Sequence, residues 1–208
     1  VAQSLVAVGQ KITASLANWL IGKANGQGLS LLAPSSVSGT GASMTSLGTV
    51  NLSSCGSVTI NGVFSSSYTN YRILIDVSLA STGHGIYLQL ASGGTVNATT
   101  NYDLQYLMGA GASASAAQIA AASNWQMTIT TTMLGHTIIV DLFGPAQASP
   151  CTGLVTNYGW SSPLSAGAIE TMGISNRLSS AFDGVNISGG SGDQMTGTVQ
   201  VFGYNVGT

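Results

Sequence analysis

The sequence predicts an all-β domain, a sandwich or a barrel, and three observations carry that prediction. Short segments with period-two alternation or β-branched runs recur from about Leu47 to the end of the chain. Clusters of Gly, Asn, Ser and Pro punctuate them at short intervals. The candidate strands number about ten or eleven, which suits two packed sheets or a closed barrel better than any helical layer.

The first residues read differently. Thr13 is placed to cap a short helix in which Leu16, Trp19 and Leu20 share one face before Gly22 ends the run. A helix of this length is too short to stand alone, so its apolar stripe is expected to dock, as an anchor or an oligomer contact. Residues 22–46 are rich in Gly and Ser and read as a linker or extended arm. The expected division is therefore 1–46 as helix and arm, for anchoring and oligomerisation, and 47–208 as the β-domain.

Within the β-domain the strongest strand is Tyr71 to Leu79. Tyr71, Ile73, Ile75, Val77 and Leu79 fall on one face, and Arg72, Asp76 and Ser78 on the other, with Leu74 the exception. Ile86, Leu88 and Leu90 alternate in the same way, as do Trp125, Met127 and Ile129 against Gln126, Thr128 and Thr130, and Ile138, Val140 and Leu142. Further strands are expected at 48–52, 56–60, 102–108, 152–158, 166–175, 184–188 and 196–204. Residues 109–123 have helix propensity at 116–122, but Gly and Ser dilute it, and a long loop is the equal reading.

Composition narrows the function. The chain has four Lys or Arg and six Asp or Glu among 208 residues, so 5% of it is charged, against roughly 25% in ordinary soluble domains. Lys11, Lys23, Arg72 and Arg177 are scattered and cannot form the cationic stripe that nucleic-acid binding needs. Apolar runs such as Ile138-Ile139-Val140 are far below the ~18 residues of a membrane span. No transmembrane segment, membrane insertion or signal peptide is read. Scarce charge removes the usual opposition to self-association, so stable oligomers or packing into a large assembly are expected. Cys55 and Cys151 lack CxxC spacing and are expected to be free thiols.

No catalytic, metal or cofactor site emerges, and no ligand-binding residue can be named. His84 and His136 each adjoin Gly at a strand start, with no ligand partner at metal spacing, and read as surface or turn residues. No Gly-x-Ser-x-Gly elbow is present, so a Ser/His/Asp triad would rest on chance pairing. The carboxylates available for acid–base work are Asp76, Asp103, Asp141, Glu170, Asp183 and Asp193. Asp76 and Asp141 are read as outward-facing, solvated or ion-paired. Asp183-Gly184 and Asp193 lack the spacing of a calcium loop, and Gly-Gly-Ser-Gly at 189–192 reads as a flexible loop without the helix and Lys of a phosphate cradle. Asn97-Ala98-Thr99 and Asn186-Ile187-Ser188 match a glycosylation sequon of the sort that arises by chance in such a composition. Tyrosines could stack on sugars, whereas Trp125 is expected in the core.

Three stretches resemble a family of bacteriophage tail-associated, receptor-binding proteins with a C-terminal jelly-roll domain. Gly9 to Asn18 (GQKITASLAN) resembles the element that opens minor tail proteins of actinobacterial phages. Val63 to Ile73, with Leu88-Gln89-Leu90 through Asn101-Tyr102-Asp103, resembles their first long strand and the strand and loop after it. Met195 to Tyr204 (MTGTVQVFGY) resembles their closing strand. The resemblance covers about half the chain and transfers no catalytic or binding residue. It implies an antiparallel jelly-roll β-sandwich, a homotrimer, a place in the virion on the tail or particle surface after assembly in the host cytoplasm, attachment to other virion proteins through residues 1–46, and contact with host-surface polysaccharide. The 208 residues are fewer than in many such proteins, and no long fibre or lysin domain is expected within them. The rival readings are a capsid decoration or head-fibre protein and a free carbohydrate-binding module. An enzyme is not expected, nor any cofactor.

Overall fold

Alternation along Tyr71–Leu79 produces an interior strand of the larger of two antiparallel sheets. The computed structural model describes residues 28–82, 84–129, 133–160 and 167–205. The helix read at Thr13 to Gly22 lies outside them.

The strands in chain order are β1 (Gly28–Leu31), β2 (Ser36–Ser38), β3 (Ala42–Met44), β4 (Val50–Cys55), β5 (Ser57–Asn61), β6 (Asn70–Leu79), β7 (Ile86–Ser92) and β8 (Thr95–Val96). They continue with β9 (Tyr102–Ala110), β10 (Ser113–Ala122), β11 (Trp125–Gln126), β12 (Gly135–Phe143), β13 (Cys151–Trp160), β14 (Gly167–Asn176), β15 (Gly184–Gly189) and β16 (Met195–Asn205). A single 3-10 turn spans Gly190–Gly192. The large sheet runs β10-β9-β14-β13-β12-β6-β16-β4-β3, with β1 also on β16. The small sheet runs β11-β7-β15-β5-β2, with β8 on β7. Every pairing is antiparallel among the described residues. No helix among them is long and apolar enough to cross a membrane.

The two sheets bury one core, made by the inward side chains that period two places on a single face. From β6 these are Tyr71, Ile73, Ile75, Val77 and Leu79, from β7 Ile86, Leu88 and Leu90, and from β12 Ile138, Val140 and Leu142, all at or below 5% exposure. Trp125 is wholly buried, as expected. Its ring stands edge-on to Tyr102 with centroids 4.9 Å apart, a geometry worth about 0.5–1.5 kcal/mol beyond the area it buries. The Trp125 indole N–H donates to the Ser175 carbonyl at 3.0 Å, so the buried ring leaves no donor stranded.

Four expectations are corrected. Strands begin at Gly28, not near Leu47, because β1, β2 and β3 pair with β16, β5 and β4. Further backbone bonds hold the segment to the sheets, Leu32 N–H donating to Val201 O and Ser35 N–H to Asn61 O, each at 2.8 Å. Residues 113–122 form a strand, neither helix nor loop. Gly111 takes φ 58 at the first position of a two-residue turn, and β10 then pairs back along β9. That ladder satisfies the backbone of a segment too short and too Ser-rich to hold a helix. The strand expected at 125–130 shrinks to Trp125–Gln126, and Thr128, read as outward, is buried, its hydroxyl accepting from Ile86 N–H at 2.9 Å. Residues 189–192 close in a defined turn, held by Gly189 N–H to Gly56 O and Gly190 N–H to Gly85 O at 3.0 and 2.7 Å.

Candidate interaction surface

The outer face of the large sheet is built by register. Across β10, β9, β14 and β13, one row of outward residues runs Ala116, Leu107, Thr171 and Thr156, and the rows beside it carry Ile169 next to Tyr158, and Leu154 opposite Gly173. The strand patterns alternate cleanly between buried and exposed along β13 and β14. Yet each face also carries residues of the opposite polarity. Leu107, Ile169, Leu154 and Tyr158 point outward with 60, 60, 57 and 46% exposure, whereas Asn157 and Glu170 on the same strands, and His136 on β12, point inward with none. Isolated exposed apolar residues are ordinary, but a contiguous set marks an interaction face. A shallow groove of about 570 Å³ opens here, lined by Leu107, Gly109, Ala114, Ala116, Ile169 and Thr171 among others.

Beside this apolar area sits a closed polar cluster. Arg72 forks onto Asp141, Nε to Oδ1 and Nη2 to Oδ2, both at 2.7 Å. The Tyr204 hydroxyl donates to Asp141 Oδ1 at 2.6 Å, and the Arg72 guanidinium lies 5.6 Å from the centre of the Tyr204 ring. Burial works against the Asp141 carboxylate, but the hydrogen bonds from Arg72 and Tyr204 outweigh it and hold its pKa below the ordinary value. The register explains the cluster, since Arg72 of β6 stands opposite Asp141 of β12.

The remaining acids are engaged or apart. Asp76 is exposed and accepts from Thr137 Oγ1 at 3.2 Å. Asp103 pairs with Arg177 at 3.0 Å, and Asp183 accepts from Gly93 N–H at 3.0 Å. Ser81, His84 and Asp193 do come together, but Ser81 Oγ (3.3 Å) and Asp193 Oδ2 (3.5 Å) both approach His84 Nδ1. A triad needs nucleophile and carboxylate on opposite ring nitrogens, so this trio lacks that arrangement. No group of three potential metal ligands occurs among the described residues.

His136 departs from its reading as a surface or turn residue: it is fully buried near the start of β12. Burial pushes its pKa below the ordinary value, while the Asn157 side chain, the Met133 carbonyl and the charge of Glu170 act the other way. Neither ring nitrogen reaches full hydrogen-bond geometry. Glu170 accepts from Asn157 Nδ2 at 3.0 Å and from Ile129 N–H at 2.9 Å. This inward polar group was legible only as residue types, because nothing local shows which face of a strand is covered.

Both sequons are internally engaged. Asn186 is 6% exposed, and its amide nitrogen donates to Ser57 Oγ, Val58 O and Thr59 Oγ1. Asn97 Oδ1 accepts from Thr99 Oγ1 at 2.6 Å, and its amide nitrogen is buried. Cys55 and Cys151 are buried free thiols, and burial pushes Cys151 up to about 11. Comparisons of the chain with protein-family models, with curated proteins and with solved structures return no match.

Proposed function

We propose that this chain is a structural protein of a bacteriophage particle, associated with the tail, that acts as a homotrimer built on a jelly roll. The observation that carries the reading is the strand order. Numbering β4, β5, β6, β7, β11, β12, β15 and β16 as eight successive strands, the sheets read 1-8-3-6 and 2-7-4-5, the order of a jelly roll, an architecture used by viral capsid and lectin domains. On this reading β8 to β10 are an insertion between the fourth and fifth strands, and β13 and β14 one between the sixth and seventh. The exposed apolar sheet face and the near absence of charge support an assembled role, and the resemblance of Val63–Ile73 and Met195–Tyr204 supports the phage assignment.

Attachment to other virion proteins through residues 1–46 belongs to the same proposal; within that segment 28–31, 36–38 and 42–44 also pair within the sheets. Contact with host-surface polysaccharide belongs to the same proposal and rests on the resemblance. Electron microscopy of particles labelled with an antibody to this chain tests the reading. Label at the tail is the expected result, label confined to the shell moves the chain to a decoration or head-fibre role, and unlabelled particles refute a virion role.

A further inference from the structure

We infer that the outer face of β9, β13 and β14, with the adjoining free edge of β10, is the surface on which a second copy of this chain docks. The inference rests on the homo-oligomeric reading above and adds where the copies meet. Its first support is the apolar character of the outward side. Strands whose inward side already supplies Val155, Met172 and Ile174 to the core also leave Leu154, Tyr158 and Ile169 to solvent, and large apolar residues gathered on one exposed face mark an interaction surface.

The glycines of this face point the same way. Gly153, one strand away and pointing inward, has no room for a Cβ, which would meet the Asp141 carbonyl oxygen. By contrast, a Cβ on Gly173, in the interior of β14, would meet nothing within 4 Å, and one on Gly109 would meet only Ile169 Cγ2 at 3.6 Å. Neither has a positive φ. Glycine weakens a strand, and contacts within the chain do not call for it here. Close approach of a ligand or of another backbone is what such a glycine then marks, and a second copy of the chain supplies such a backbone.

Charge selects the occupant. The outward residues of β13 and β14, and those of β9 from Gln105 to Gly109, include no charged side chain, and the ion pairs at the borders, Arg72 with Asp141 and Arg177 with Asp103, are already neutralised within the chain. A strongly charged partner or an anionic surface finds nothing to recognise, whereas an identical copy meets no repulsion. The edge strand adds a second element of contact. Residues 113–122 (SASAAQIAAA) contain no charge and no proline, the devices by which proteins normally keep an exposed edge from pairing with another chain. Its one irregularity lies at the far end, between Ile119 and Ala122.

The test is the mass of the full-length chain in solution, by sedimentation and mass photometry, for the wild type and for Ile169→Asp, Leu154→Asp and Gly173→Val, with far-UV circular dichroism as the check on folding. The wild type is expected to assemble, and each face variant to remain folded while weakening assembly by at least about 30-fold. Gly173→Val is the sharpest, because valine favours a strand and, if the face were free, the variant would be neutral or more stable. It also carries the test if an aspartate variant fails to fold. An assembled wild type with all folded variants equally assembled overturns the face but leaves the oligomer standing. A wild type that stays monomeric at about 100 μM overturns both.

Discussion

Tyr102 ties β9 of the large sheet to the small sheet through a single oxygen, and Tyr102→Phe removes that atom alone. The hydroxyl accepts from Leu90 N–H at 2.9 Å and donates to the Asn97 carbonyl at 2.8 Å, while the ring is wholly buried edge-on to Trp125. Phenylalanine fills the same space and keeps the ring contact, so the loss is confined to hydrogen bonding. The Leu90 N–H is left buried without an acceptor, which costs about 1–3 kcal/mol. The Asn97 carbonyl lies nearer the surface and recovers part of its loss from water, so the sum is about 2–3 kcal/mol. For a chain of this size that lowers Tm by about 4–12 °C. Thermal denaturation followed by circular dichroism reads it directly. A fall of under about 2 °C would refute the claim that this hydroxyl completes the small sheet. Burial also pushes the Tyr102 pKa up to about 12, so the phenol should stay silent in a spectrophotometric titration of the native chain until far into alkali.

Three further outcomes follow from the packing. Burial lowers the His136 pKa in the folded chain, so the unfolded chain binds the proton more readily; the stability this residue contributes is fully present above its ordinary value of 6.5 and declines as pH falls below it. Denaturant melts at stepped pH should show that decline, and it should flatten in His136→Leu; an unchanged slope in the variant would assign it elsewhere. Gly197 combines φ 149 with a position where a Cβ would collide with the Asp76 carbonyl oxygen of β6, so Gly197→Ala should cost about 2–4 kcal/mol in chemical denaturation, because the obstacle is backbone and cannot swing away. Cys55 and Cys151 are both buried with raised pKa values, and a thiol-specific reagent should label neither until denaturant unfolds the chain; rapid labelling of the native protein would contradict their burial.

How much of this was legible in the sequence depends on whether the deciding physics is local. Alternation is local, and it located β6, β7 and β12 together with their core faces, because side chains two residues apart share a face whatever lies around them. It was least informative where local preference and tertiary pairing disagree. The Ala-rich run at 116–122 suits a helix by propensity, but its strand pairs with β9 across a tight glycine turn. Residues 28–46 are dominated by Gly, Ser, Ala and Thr and hold only short strands of three or four residues, too brief to show a period, yet their backbones pair with strands far along the chain.

The sequence by itself determined that the described domain is all-β, that its strands alternate, that Trp125 belongs inside and that scarcely any charge opposes association. Those follow from composition and period, which each residue carries with it. Only the tertiary structure decided the order of strands, the meeting of Arg72 with Asp141 from 69 positions away, the burial of His136, Asn157 and Glu170, and the outward turn of Leu154 and Ile169. Alternation shows that a strand has two unlike faces. Which face is covered depends on what the opposite sheet supplies, and that is settled by pairings between residues the chain holds far apart.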